Sequence, residues 1–197
     1  MSKSALKVKI SRVVSFRSGK EWRRWLSVHH AKTEEGVWLR MFKKDSGQTT
    51  VTYDEALDEA LCFGWIDGQK RSHDAISWIQ RFTPRRKRSM WSKRNIGHVA
   101  RLVKAGRMTT SGLKEIEAAK TDGRWARAYD SAKDMAVPAD FLQALAKNKK
   151  AERFFKTLDR ANIYAIAWRL QTAQKPETRA RRMNALLDMM AHEKKLH

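Results

Sequence analysis

A chain of 197 residues fits one substantial domain, or one domain with a smaller helical appendage. Hydrophobic residues at 42%, with eight Trp, seven Phe and three Tyr, supply a packed interior and exclude global disorder despite 32% charged residues. A formal charge of +21 makes the chain repel itself and attract polyanions, while one cysteine, Cys62, excludes an internal disulfide or a CxxC metal or redox pair.

The opening MSKSALKVKISRVVSF contains no apolar run longer than two. A secretory signal needs an apolar core of about 7–15 residues, and no later stretch reaches the roughly 18 apolar residues of a membrane span. A cytoplasmic protein is expected. RVVSF (Arg12–Phe16) predicts a short strand, and Ser18-Gly-Lys-Glu21 a capping box opening a helix with Trp22, Trp25 and Leu26 on one face. Val37, Leu39 and Met41 alternate with Trp38, Arg40 and Phe42, which predicts a strand. Thr52-Tyr-Asp-Glu55 is a second capping box, before a helix that Gly64 ends. Trp65–Arg71 and Ala75–Phe82 read as two strands, the second terminated by Pro84. Ser92 can cap a helix over Lys93–Lys104, with Ile96, Val99, Ala100 and Val103 as its apolar stripe and Gly106 as its stop.

Ser111–Lys120 follows as another helix, and then everything reads helical: Pro138–Lys147, Ala151–Leu158, Asp159–Ala173 and Glu177–Lys195. The expected fold is α+β and helix-rich. A small sheet of about four short strands packs with helices in residues 1–130, and an all-helical module covers 137–197. DSAKDMAV (Asp130–Val137) lacks both periodicities and is the expected boundary.

Several strings resemble a known bacterial family. TYDEALDEALCFGWIDGQ, RFTPRRKRSMWSKRN and GRMTTSGLKEIEAAKTDGRW resemble the YdeI/OmpD-associated, or bacteriocin-protection-like, proteins. VPADFLQALAKNKKAERFF with QTAQKPETRARR resembles that family's small helical C-terminal module. The resemblance runs from about Trp22 to Lys195. It implies a role in tolerance of antibacterial peptides or envelope stress, and it brings no catalytic residue set. Some family descriptions imply a periplasmic location, and the want of an export signal departs from that and argues against the porin association.

The densest chemistry lies in RFTPRRKRSMWSKRN. From Gln69 to Arg107 there are twelve Lys or Arg against the single acid Asp74, a net +11. A face serving only solubility mixes signs, and this one does not. Guanidiniums fork onto phosphate oxygens. The candidate anion-binding residues are Arg81, Arg85, Arg86, Arg88, Ser92, Lys93 and Arg94. Ser92 would place helix amides and the positive dipole end beside the arginines. Arg179, Arg181 and Arg182 crowd the first turns of the last helix, where the dipole prefers acids, so internal acids such as Asp159 or an external anion must hold them.

Trp65, Asp67, Arg81 and Trp91 are the alternative, a small enzymatic pocket of unknown reaction, with Asp67 near Arg81 or Arg85 across adjacent strands. Cys62 would need His73 or His98 as a base, and its place on an apolar helix face fits a buried small hydrophobe better. The histidines show no HxxxH or HExxH spacing, so no metal is expected, and no cofactor motif is present. The functional expectation is a cytosolic, non-enzymatic stress-tolerance protein acting through a basic surface. Its partner would be an anionic ligand or polyanion such as nucleic acid or an acidic protein surface. A sequence-independent nucleic-acid-binding module is a third reading, although no zinc-finger spacing, RNP string or GXXG loop is present.

Overall fold

The computed structural model describes residues 13–131 and 133–197. Arg12, and most of the opening segment weighed as a signal, lie outside the described residues. The protein is α+β and helix-rich, with four strands and eight α-helices among the described residues. By backbone proximity the chain forms two compact units. The first holds the described residues up to Met90 together with Asn95–Ala126, and the second holds Trp91–Arg94 with Arg127–His197.

In the first unit, β1 (Val13–Ser15), β2 (Val37–Phe42), β3 (Trp65–Ser72) and β4 (Ser77–Pro84) form one sheet in the order β1-β2-β4-β3. β1 runs parallel to β2, and β4 pairs antiparallel with both neighbours. β4 continues through Pro84, two residues past the expected end. Val37 is the last β2 partner, opposite Phe82, so Pro84 has only β3 beside it and its missing N–H costs no ladder bond to β2.

Helices α1 (Gly19–His29) and α2 (Tyr53–Cys62) start where their caps direct. The box at Thr52 closes both ways, with the Glu55 N–H donating to the Thr52 hydroxyl and the Glu55 carboxylate accepting from the Thr52 N–H. At Ser18 only half the box forms, because Glu21 accepts from the Arg17 N–H instead. Trp22 and Leu26 of α1 are fully buried. The Trp22 ring lies 5.8 Å from Phe82 and 6.3 Å from Trp65, and its Nε1–H reaches the Ala56 carbonyl at 3.1 Å. Each buried aromatic of this kind removes 150–250 Å² from water, roughly 4–6 kcal/mol as an upper estimate, against about 1–3 kcal/mol for an unmade buried hydrogen bond. Burial therefore wins even where an indole N–H finds no acceptor.

Helices α3 (Lys93–Lys104) and α4 (Thr110–Thr121) follow. The apolar stripe expected on α3 is rotated: Asn95, Val99 and Leu102 are buried, while Val103 is 48% exposed. The reason is polar, because Asp58 on α2 accepts from His98 and Arg101 and turns that edge of α3 toward α2. In the second unit, α5 (Ala139–Ala146), α6 (Lys149–Lys156), α7 (Arg160–Gln171) and α8 (Pro176–Ala191) enclose Phe141, Leu145, Leu158, Ile166, Leu170, Leu186 and Met190. Asp159 is spent as the N-cap of α7.

Candidate anion-binding site

The site begins where β4 leaves the sheet. The Arg85 N–H donates to the Gly64 carbonyl at 3.0 Å, and the Arg85 side chain turns inward, buried, with Nη1 on the Met90 carbonyl at 3.3 Å. The next four residues form a fixed turn. The Arg86 N–H donates to the Ser89 hydroxyl at 3.0 Å, and the Ser89 N–H returns to the Arg86 carbonyl at 2.8 Å. Arg124, itself held by Asp122 at 2.7 Å, donates to the Ser89 carbonyl at 3.0 Å.

This turn carries Arg86, Lys87 and Arg88, all exposed. Among the described residues no carboxylate pairs with any of the three. Three adjacent cations on a backbone tied at both ends form a dense and uncompensated positive surface.

Beside it lies a cleft of about 280 Å³ whose lining includes His30, Glu34, Thr83, Pro84, Arg85 and Arg86. His30 Nδ1 lies 2.8 Å from the Leu26 carbonyl, which can only accept, so Nδ1 carries the proton. Nε2 lies 3.0 Å from the Ser111 hydroxyl. Both ring nitrogens are engaged within the protein, and His30 shapes the cleft wall.

The remaining candidates separate. Arg81 donates to the Glu35 carbonyl at 2.9 Å, and Asp67 accepts from the Tyr53 hydroxyl at 2.7 Å, so the expected Asp67–arginine pair is not made. The register explains this, since Phe82 stands opposite Asp67 and Arg81 projects from the other face of β4. Trp65 is buried, with its Nε1–H on the His30 carbonyl, and Trp91 belongs to the second unit. Within the sheet, Trp65 and Asp67 therefore stand on one face and Arg81 on the other. Cys62 is fully buried, and burial pushes its thiol up despite a hydrogen bond from Arg23, which keeps it protonated.

In the second unit the cations have internal work. Ser92 pairs with Tyr129 in a parallel bridge, and the Lys93 N–H donates to the Tyr129 carbonyl at 2.8 Å, so that amide is not offered to a ligand. Lys93 Nζ holds Asp130 at 2.6 Å; its hydrogen bond, then that of Gln171, keeps the Asp130 carboxyl below the usual range. Arg179 forks onto Asp140 at 2.6 and 2.9 Å, and Arg182 donates to the Arg169 carbonyl at 2.7 Å. Of the two expectations, an internal acid such as Asp159 or an external anion, Arg179 meets an internal acid, Asp140. Arg94 and Arg181 are exposed.

Sequence reasoning missed the buried acids of α2. Glu59 bridges Arg23 and Arg107, while Asp58 takes His98 and Arg101. Two adjacent acids set between the apolar pairs Ala56–Leu57 and Ala60–Leu61 mark the position in the sequence, though not the partners.

Residues 14–115 match the model of a domain of unknown function (DUF8412), more than half of the chain. The chain belongs to that family. Residues 134–193 match a second model, described as Bacteriocin-protection, YdeI or OmpD-Associated, over the stretch that contains VPADFLQALAKNKKAERFF and QTAQKPETRARR. TYDEALDEALCFGWIDGQ and RFTPRRKRSMWSKRN lie within the domain of unknown function, so the YdeI/OmpD-associated family is matched through the C-terminal helices. No curated protein and no solved structure matches the chain. Among the described residues no helix is long and apolar enough to cross a membrane, and no group of three or more His, Cys, Asp or Glu is placed to hold a metal ion.

Proposed function

We propose that this is a cytosolic polyanion-binding protein that contacts phosphates through the Arg86–Ser89 turn, in the tolerance role that the description of its C-terminal match names. The observation that carries the reading is the turn itself: three exposed cations without a carboxylate partner, on a backbone fixed by the reciprocal Arg86–Ser89 bonds and by Arg124. The arginines of α8 support it less, because Arg179 and Arg182 are already satisfied internally. Capture of a cationic antibacterial peptide is the wrong mechanism for a molecule of charge +21, which repels it. An anionic target of such a peptide is the better partner. No reaction is assigned.

The test is duplex oligonucleotide binding across a salt series. Three phosphate contacts give a slope of log K on log[salt] of about −2.7. Replacing Arg86, Lys87 and Arg88 by Ala is expected to abolish binding at low salt and leave the melting temperature within a degree or so, because the turn is held by backbone and Ser89 contacts. Binding that survives the triple substitution with an unchanged slope overturns the reading.

A further inference from the structure

The sheet of the first unit has a second face whose chemistry the turn does not use. By register, Trp38, Arg40 and Phe42 of β2 stand there beside Ser77, Ile79 and Arg81 of β4, with Arg71 of β3 opposite Ile79. The Arg71 guanidinium lies 5.0 Å from the Trp38 ring centroid, that of Arg81 lies 5.9 Å from it, and that of Arg40 lies 4.5 Å from Phe42. Arg40 is neutralised by Asp74 at 2.7 Å. Among the described residues no carboxylate pairs with Arg71 or Arg81. Arg71 donates to the Gln69 side-chain carbonyl at 3.1 Å and Arg81 to the Glu35 carbonyl at 2.9 Å, both uncharged acceptors.

Two guanidiniums thus lie over one indole and are tied by hydrogen bonds to uncharged acceptors. Trp38 beneath them is 1% exposed, and its Nε1–H has no acceptor. A buried indole with two partly exposed guanidiniums over it, on one sheet face, makes a recognisable chemical set. Guanidinium is planar and weakly hydrated, so it can stack on a base and fork onto a phosphate, and being pre-ordered it loses little freedom in doing so. β4 carries the charge onward from Arg81 to the turn at Arg86, at most about 17 Å along an extended chain.

We propose that this face binds single-stranded nucleic acid, with a base stacked on the Arg71–Arg81 pair and the following phosphates on Arg86, Lys87 and Arg88. The inference rests on the polyanion reading of the turn and adds what the turn alone cannot supply, a preference for unpaired bases. A duplex keeps its bases stacked inside and meets only the turn. A single strand meets both.

The test compares an oligothymidylate with a duplex of equal phosphate number by fluorescence anisotropy. The intact protein is expected to bind the single strand about tenfold more tightly at low salt, from one stacked base. Replacing Arg71 and Arg81 by Ala should remove that preference, reduce the single-strand salt slope by about 1.4, and leave duplex binding unchanged. Should that pair unfold by circular dichroism, Arg71→Lys with Arg81→Lys keeps the charge and removes the stacking plane, and it too should lose the preference. Equal binding of both nucleic acids, or a single-strand preference untouched by the Arg71 and Arg81 substitutions, overturns the inference and leaves the turn reading standing. Failure to bind either overturns both, and phosphatidylserine vesicles bound as tightly as the oligothymidylate overturn the choice of nucleic acid.

Discussion

Asp58 shows how one residue ties α2 to α3. It is 8% exposed, accepts from His98 Nδ1 at 2.7 Å, and accepts from Arg101 Nη2 through both oxygens at 2.7 Å. Burial alone would push its carboxyl up, but the hydrogen bonds from Arg101 and then His98 outweigh it and hold the group below its ordinary value. A carboxyl whose folded pKa is depressed contributes stability that is present above the unfolded value, near 3.9, and lost as pH falls through the folded one. Asp74, Asp130, Asp140, Glu152 and Asp159 are shifted the same way, so the whole protein weakens in acid and the readout must be a difference. Asp58→Asn is expected to lower stability at pH 7 by about 1–3 kcal/mol, because His98 and Arg101 lose their anionic acceptor. The gap between wild type and variant should hold from pH 7 to about 5 and narrow below pH 4. Urea midpoints measure it, and a gap that stays constant to pH 2 would show that the ion pair is not its source. In the sequence Asp58 is merely a polar helix position. Its value comes from residues forty and forty-three places on, and no local pattern announces that pairing.

At the scale of elements, what was legible followed local chemistry. The Thr52 box, the Ser18 cap, the alternation of β2 and the stop at Gly64, whose φ is +74°, all belong to a few adjacent residues. The buried stripe of α3 departs from its apolar periodicity because ion pairs to Asp58 set the rotation, and β4 runs past Phe82 because Pro84 costs nothing where β2 has already ended. Two glycines inside helices make the same distinction testable. A Cβ at Gly97 on α3 meets nothing within 4 Å, so Gly97→Ala should raise stability by about 0.5–1 kcal/mol through helix propensity alone. A Cβ at Gly112 on α4 would lie 2.3 Å from the Cys62 carbonyl oxygen and 2.7 Å from Met108 Cε. Propensity favours alanine equally there, but the contact with backbone cannot relax cheaply, and Gly112→Ala should destabilise. Opposite shifts in the denaturant midpoints are expected. Two shifts of the same sign would show that α4 does not seat against Cys62 this closely.

At the scale of the whole molecule, charge was legible and its deployment was not. The +11 segment stands out in the sequence, yet only the fold distinguishes Arg86, Lys87 and Arg88, which face solvent uncompensated, from Lys93, which is paired with Asp130. The same segment also runs through both compact units, since Trp91–Arg94 groups with the C-terminal helices while the residues on either side group with the sheet. A chain cut between Ala126 and Arg127 therefore takes a piece of the second unit away from it. The fragment 127–197 loses the parallel bridge from Ser92 to Tyr129, the Lys93 N–H bond to the Tyr129 carbonyl at 2.8 Å, the Tyr129 N–H bond to the Trp91 carbonyl at 3.0 Å, and the Lys93–Asp130 pair. It keeps the apolar cluster around Phe141, Ile166 and Met190, so α5–α8 should still form and give a helical far-ultraviolet spectrum. The loss of two backbone hydrogen bonds is worth roughly 1–3 kcal/mol. It should fall on the segment before α5, where Tyr129 meets the edge of Trp168 at 6.3 Å. The near-ultraviolet dichroism of that ring pair is expected to weaken in the fragment, and the Tyr129 amide, hydrogen-bonded to the Trp91 carbonyl in the intact protein, should exchange freely. A fragment in which that amide stays protected and the ring signal is intact would show that Trp91–Arg94 contributes nothing to the unit it groups with.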